Sequence, residues 1–292
     1  MQQTWTYRFA CLPLLTLVSS TAFAWGQEGH SIVAEIAQRR LSAEAQQGVA
    51  AALGAGVSLA SVSSWADGQR VVHPETTNWH FVDIPLQAGA YDEQRDCADK
   101  PGHGDCVVRE LQRLRTELRC QPTLEGRRDA LRYAVHFVGD LHQPLHTVGE
   151  KMGGNQQAVH GSIRGLTCKR NCELGNETAN LHVLWDTALI RRTVWDWGSY
   201  VSRLEDGLLR SPDVQRAAAT SSPAEWANQT HVVAQSVWND KIFPADGLLD
   251  DHYYDAVLPL LDRQLALAGL RLAQFLNSAY GAAACPAPAP AG

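Results

Sequence analysis

An all-α single domain, a bundle of antiparallel helices joined by long functional loops, is the fold class predicted by three features of the 292-residue sequence. Apolar residues recur at helical spacing through most of the chain beyond residue 28. Few runs alternate with period two over a useful length, so strands are not expected to organise the fold. No Gly/Ser linker divides the chain and no repeat of fixed period stands out, the only low-complexity segment being the closing CPAPAPAG. A chain of this length can bury one large continuous core.

Taken in order, the first stretch is not part of that core. Arg8, an apolar run from Phe9 to Val18 and the small-residue ending Ala22-Phe23-Ala24 have the grammar of a secretory signal over residues 1–24, cleaved before Trp25. The run is too short to span a membrane, so no membrane insertion is expected after cleavage, and the product is exported, either periplasmic or secreted. Cysteine usage agrees. Of seven cysteines Cys11 leaves with the signal, and the remaining six (Cys97, Cys106, Cys120, Cys168, Cys172, Cys285) suit an oxidising compartment. Cys97 with Cys106 and Cys168 with Cys172 are plausible local loops, which would leave Cys120 to tether Cys285; the sequence alone leaves the connectivity open. The formal charge of −6 becomes −7 without Arg8. That excludes a duplex-coating basic protein, and any phosphate-bearing substrate must be attracted locally.

Ile32, Val33, Ile36, Ala37 and Leu41 predict an amphipathic first helix over 28–49. Residues 61–80, punctuated by Asp67-Gly68 and Pro74, read as a short helix and a loop. The turn-forming composition of 79–106 predicts a long surface segment pinned by a disulfide. Helical period returns over 107–118 and 127–141, lapses in a Gly-rich loop over 149–176, and then continues over 180–195, 198–210, 223–238 and 251–277. Leu258, Leu261, Leu265, Leu272 and Leu276 stripe the last helix. The domain is thus expected over 25–281, followed by a Pro/Ala-rich tail over 282–292.

Two stretches carry the chemistry. In AVHFVGDLHQPLH (134–146) His136 and Asp140 are four residues apart and share a helix face, while Pro144 ends the helix and swings His146 off it but near its end. In NLHVLWDT (180–187) His182 and Asp186 repeat the spacing. One such pair is usually a solvated surface pair. Both pairs here lie among apolar residues, where unpaired charge is costly. Imidazole nitrogen mixed with carboxylate oxygen suits Zn²⁺, and the two stretches are expected to form opposing walls of a metal site. Trp25 as the first mature residue could chelate through its amine and carbonyl, and His30, Asp67 and His80 complete a set of five histidines and three aspartates. His142, on another helix face, is expected to pack or to support a ligand. His73, His103, His160, His231 and His252 lack ligand context and are expected at the surface.

The motifs WGQEGH at the mature N-terminus, SSWAD (63–67), WHFVDIP (79–85), HFVGDLHQPLH (136–146), GGN (153–155) and NLHVLWDT resemble, in order, those of the S1/P1 nuclease family. These zinc-dependent single-strand nucleases share a fold with the phospholipases C that prefer phosphatidylcholine. The resemblance spans Trp25 to about residue 277 and implies an all-α domain of the phospholipase C/P1 nuclease type. It implies three zinc ions: one held by Asp67, His80, His136 and Asp140, a second by His146, His182 and Asp186, and a third by Trp25, His30 and the bridging Asp140. It further implies hydrolysis of single-stranded RNA and DNA to 5′-mononucleotides, with 3′-nucleotidase activity. Asp67 would orient the attacking water, Arg70 would stabilise the transition state, Phe81 and Asp83 would stack on and hydrogen-bond a base, and Met152 would form the facing apolar wall. The family's lysine eight residues past His80 is Ala88 here, which puts one phosphate contact in doubt. The competing readings are a phospholipase C-like phosphodiesterase on the same fold, disfavoured by SSWAD and by Asp rather than Glu at 186, and a non-enzymatic periplasmic zinc-binding protein. Oligomeric state is not legible.

Overall fold

The computed structural model describes residues 25–166, 179–219, 222–238, 242–282 and 285. The expectations for the signal at 1–24, for a Cys168–Cys172 link and for most of the tail lie outside them. Ile32, Val33, Ile36 and Ala37 form the buried side of the first helix, α1 (Gln27–Gln38), as their spacing requires. The continuous helix expected over 28–49 is instead two. Arg40 turns to make two hydrogen bonds with Glu205 at 2.8 and 2.7 Å, and Ser42 accepts from Ala45 N to start α2 (Ala43–Leu53). A good N-cap inside a periodic run wins over continuation because it satisfies donors that a new helix exposes.

α3 (Trp65–Val72) and a 3₁₀ turn over Pro74–His80 follow. The 79–106 segment is less superficial than its composition suggests. Val82 and Ile84 are buried, Val82 N donates to His146 O (2.9 Å) and Val107 N to Phe81 O (3.1 Å), so this backbone runs through the interior. It then forms the short α4 (Glu93–Asp96) immediately before the loop closed by the Cys97–Cys106 disulfide.

α5 (Val107–Cys120) and α6 (Leu124–Asp140) are joined by three residues, with Thr123 capping Gly126 N, and fold back against one another. Beyond the loop come α7 (Leu181–Val183), a π turn over Leu184–Ala188, and α8 (Leu189–Thr193), where a single helix was expected. α9 (Trp197–Asp206), α10 (Pro212–Ala218), α11 (Pro223–Val237) and α12 (Asp251–Gly281) complete the bundle. α10 was not anticipated; it is too short to display a period. Nor was the two-residue parallel pair of β1 (His160–Gly161) with β2 (Leu248–Leu249), which pairs residues too distant in sequence to show a pattern.

The 31-residue α12 is the central post, touching α1, α2, α5, α6, α10 and α11. Its expected leucines Leu261, Leu265, Leu272 and Leu276 are fully buried. Cys120 at the end of α5 is bonded to Cys285 just beyond α12, as anticipated. α1 approaches α12 most closely at Gly269, where an added Cβ would lie 2.5 Å from Ile36 Cβ. Gly269→Ala is therefore expected to destabilise the protein by about 1–3 kcal/mol, through forced separation of the two helices. Urea unfolding at fixed zinc reads this directly, and an unchanged midpoint would show that the contact yields.

Behind the site a charge is buried. Arg271 on α12 donates to His142 Nε2 (2.9 Å) and Ala217 O (2.9 Å) and also binds Gln229, while His142 Nδ1 donates to Val138 O (2.7 Å). His142 is thus the packing histidine that its helix face predicted. No helix among the described residues is long and apolar enough to cross a membrane.

Candidate metal centre

The last turn of α6 is the floor of the site. Because His136 and Asp140 are one turn apart, both side chains point the same way, and His136 Nε2 lies 3.2 Å from Asp140 Oδ2 with both residues fully buried. Helix α6 stops at Asp140. Gln143 accepts from Leu145 N and starts a 3₁₀ turn over Pro144–Thr147, which brings His146 back toward the floor.

Around Asp140 three elements converge. His80, at the end of the 3₁₀ turn after α3, places Nδ1 at 3.0 Å from Asp140 Oδ2 and 3.1 Å from His136 Nε2. His30 of α1 places Nε2 at 3.3 Å from Asp140 Oδ1 and stacks on His136 at 4.0 Å between centroids. Asp67 of α3 approaches with Oδ1 at 3.4 Å from His136 Nε2 and 3.8 Å from His80 Nδ1. Across the site His146 Nε2 and His182 Nε2 face each other at 3.1 Å, and His182 Nε2 lies 3.4 Å from Asp186 Oδ2. The two organising stretches do form opposing walls. The π turn that carries Asp186 preserves the shared face of the pair; such bulges recur at functional sites.

Three of the five imidazoles are aimed by backbone carbonyls. His136 Nδ1 donates to Ser63 O (2.7 Å), His146 Nδ1 to His80 O (2.8 Å) and His182 Nδ1 to Gly153 O (2.5 Å), while Asp186 Oδ1 accepts from Gln143 Nε2 (2.6 Å). Partners of this kind set the tautomer and leave Nε2 as the electron-pair donor. Gly153 reaches His182 from a turn in which Lys151 and Met152 take φ of 50° and 54°, a conformation non-glycine residues rarely adopt and one that clusters at functional sites.

The donor set fits a group of cations. His30 Nε2, Asp67 Oδ1, His80 Nε2, Asp140 Oδ1 and Asp186 Oδ2 are buried without a hydrogen-bond partner, which a folded protein rarely tolerates. Burial pushes His80 down to about 4 and His182 down to about 3, so both are neutral, ligand-competent imidazoles at pH 7. Burial works against ionisation of Asp140, but His136, His30 and His80 together hold its carboxyl well below the usual range. Asp186 goes the other way: burial, with Asp140 and Asp67 adding repulsion, raises it well above that range. A cation between His146, His182 and Asp186 would reverse that repulsion. Three buried triads result: His30, Asp67 and His136; His80, His136 and Asp140; His146, His182 and Asp186. His30 Nε2 lies 3.3 Å from Asp140 Oδ1, while in the triad His30 groups with Asp67 and His136. Trp25 is fully buried; its Cδ1 would lie 3.8 Å from a Cβ added at Gly139, and the same Cβ would lie 2.8 Å from His30 Nδ1.

The triads open into a cavity of about 350 Å³ whose wall includes Arg70, Phe81, Asp83 and Met152, together with His80, His146 and His182. All four residues expected to meet substrate therefore share one cleft with histidines of the candidate metal triads. Three supporting residues were missed by sequence reasoning: Ser63, Gln143 and His231. His231 is not at the surface but 1% exposed on α11, where Nδ1 donates to Thr147 O (2.8 Å) and fastens the turn that carries His146. No local signal distinguishes it, since its partner is 84 residues away. His73, His103, His160 and His252 are exposed as expected.

A helical frame that gathers imidazoles and carboxylates behind a cleft, with an arginine in the wall, suits a metal-dependent hydrolase of phosphate esters. Residues 25–281 match the S1/P1 Nuclease family, and the chain belongs to it. It is similar to Endonuclease 2 of Arabidopsis thaliana, 30% identical over 88% of this chain and 91% of that protein. Nuclease P1 of Penicillium citrinum is 28% identical over 88% of this chain and 98% of its own, and Nuclease S1 of Aspergillus oryzae 26% identical over 89% and 93%. The family makes this a phosphodiester hydrolase, with nucleic acid as its class of substrate.

Proposed function

We propose that residues 25–281 act as an exported zinc nuclease, released by removal of 1–24, that cuts single-stranded RNA and DNA to 5′-mononucleotides and also removes 3′-phosphate from nucleotides. The convergence of unpartnered imidazole and carboxylate atoms behind a cleft that His80, His146 and His182 line together with Phe81 and Asp83 carries this reading. Three zinc ions would be held by Asp67, His80, His136 and Asp140; by His146, His182 and Asp186; and by His30, Asp140 and the Trp25 amine and carbonyl. Bound zinc would supply positive charge for the phosphodiester, against an acidic exterior, and would lower the pKa of a water molecule toward neutrality.

The chain's own groups do the rest. Asp67, 9% exposed on its side chain against 0% for Asp140 and 3% for Asp186, is the most accessible acid of the cluster and is suited to orient a water and accept its hydrogen bond. Arg70 lies one turn along α3, in the cleft wall close enough to His146 and His182 to depress both. Its forked donors match non-bridging phosphate oxygens as charge grows there. Phe81 offers a ring face to a base, with Met152, 64% exposed, opposite. Stacking of this kind requires an unpaired base, which favours single strands over duplexes. Disulfides in the described chain suit an exported protein.

Asp67→Asn is expected to lower kcat on single-stranded DNA at least about a hundredfold and to weaken zinc retention, measured by nuclease assay and metal analysis of the processed protein. Unchanged zinc and unchanged rate would remove Asp67 from the site. Cleavage of phosphatidylcholine without nucleotide release would overturn the nuclease reading itself.

A further inference from the structure

One ion pair at the edge of the cleft is outside the metal centre. Lys100 Nζ lies 3.6 Å from Asp83 Oδ2, and Asp83 lines the cavity with Phe81 and Met152. The far side of Asp83 is closed by backbone, for a Cβ added at Gly149 would stand 3.4 Å from Asp83 Cβ. The Lys100 side chain is 59% exposed and that of Asp83 42%, but the backbone that carries the lysine is fixed. It sits in the loop closed by Cys97–Cys106, in a turn made by Lys100 N to Gly104 O (3.0 Å) and His103 N to Lys100 O (2.9 Å). Gly102 and Gly104 take φ of 77° and 81° there, which side chains resist. Asn78 N donates to His103 O (2.9 Å) and Asn78 Nδ2 to Gly104 O (3.3 Å), tying the turn to the segment that delivers His80 and Phe81. The place of Lys100 beside Asp83 is therefore set by the backbone, from which the ammonium reaches the carboxylate.

The other acids acting on Asp83 are Asp96 and Glu150. Asp96 is already paired with Arg95, and Glu150 accepts from Leu86 N (2.7 Å). Burial, with these two acids, pushes the Asp83 carboxyl above its ordinary range, and Lys100 is the group that pulls it back. The protonation state has a chemical consequence. A carboxylate only accepts hydrogen bonds, whereas a carboxylic acid accepts and donates. The Watson–Crick edge of guanine presents two adjacent donors, N1–H and N2–H, which match two carboxylate oxygens. Adenine presents the donor N6–H beside the acceptor N1, which matches a protonated carboxyl instead.

We infer that Lys100 is a specificity-determining residue: paired with Asp83, it keeps that carboxylate an acceptor, so that the base pocket favours guanine over adenine. The inference rests on the reading of Asp83 as the base-edge partner in the proposed nuclease. A site built to fill two donors discriminates strongly against a base that offers one donor and one acceptor.

The test compares the processed wild type with Lys100→Met on the dinucleoside monophosphates GpG and ApA, with IpI, which lacks the N2 amine, between them. In the wild type kcat/KM for GpG is expected to exceed that for ApA about tenfold, with IpI intermediate. In Lys100→Met the ratio should shrink about tenfold, almost wholly through KM, and in an Asp83→Asn background residue 100 should no longer matter. The rate on bis(p-nitrophenyl) phosphate, which has no base, reports the metal centre separately. A GpG-to-ApA ratio that Lys100→Met leaves within about twofold of wild type overturns the inference. So does an equal loss on every substrate including the base-free ester, which would make Lys100 a phosphate contact. Calorimetric binding of guanosine and adenosine 5′-monophosphate repeats the comparison without turnover. Guanine selectivity that depends on Lys100 in a protein that cleaves nothing would sink the nuclease and keep this inference; cleavage without such selectivity would do the reverse.

Discussion

Placing even one residue ahead of Trp25 is expected to cut nuclease activity about a thousandfold while leaving the helical bundle folded. The Trp25 side chain is fully buried, Gly26 N donates to Asp186 O (2.8 Å), and His30 follows within the first turn of α1. The start of the domain is thus sewn into the floor of the site. A free amine at Trp25 would be a neutral nitrogen donor with its own carbonyl beside it, whereas the same nitrogen in a peptide bond has no lone pair to give. Losing one ion would remove several kcal/mol of charge stabilisation, hence the size of the effect. Metal analysis should find two zinc ions rather than three in the extended protein, beside an unchanged helical circular dichroism spectrum. Equal activity and equal zinc in the two forms would show that Trp25 is only a buried anchor.

Asp140→Asn should be more damaging still, with a loss of about ten-thousandfold or more. The carboxylate is fully buried, with imidazole nitrogens of His80, His136 and His30 at 3.0, 3.2 and 3.3 Å. It is held well below the usual carboxylate range by those rings, so it supplies full negative charge at the centre of the group. An amide of the same shape offers one weak oxygen and turns an NH₂ toward nitrogens whose lone pairs are needed for metal. Two of the three ions share this residue in the proposed assignment, so zinc content should fall by two equivalents. Retention of all three with activity within about tenfold would remove Asp140 as the bridge.

The residues that were legible in the sequence are those whose geometry is local. His136 and Asp140 share a face because they are four apart on one helix, and His182 and Asp186, four apart from α7 into the π turn, keep a shared face through that change of winding. Pro144 stops a helix by its own chemistry, so the return of His146 was also readable. What escaped was decided by partners far along the chain. His231 looks like a surface histidine until Thr147, 84 residues away, is placed against it. Lys100 meets Asp83 only because a disulfide-closed turn is hydrogen-bonded to Asn78. The 28–49 period ran unbroken in the sequence, yet the pairing of Arg40 with Glu205 and the Ser42 cap divide it.

By itself the sequence determined the helical class, the donor types and their pairing at a spacing of four residues, since these follow from side-chain chemistry and local helical geometry. Only the tertiary structure decided that five imidazoles and three carboxylates meet in buried triads behind one cleft, with backbone carbonyls aiming three of the rings and a lysine standing at Asp83. Those facts depend on how close separate segments come, to within a few tenths of an ångström, and that is a property of packing around α12.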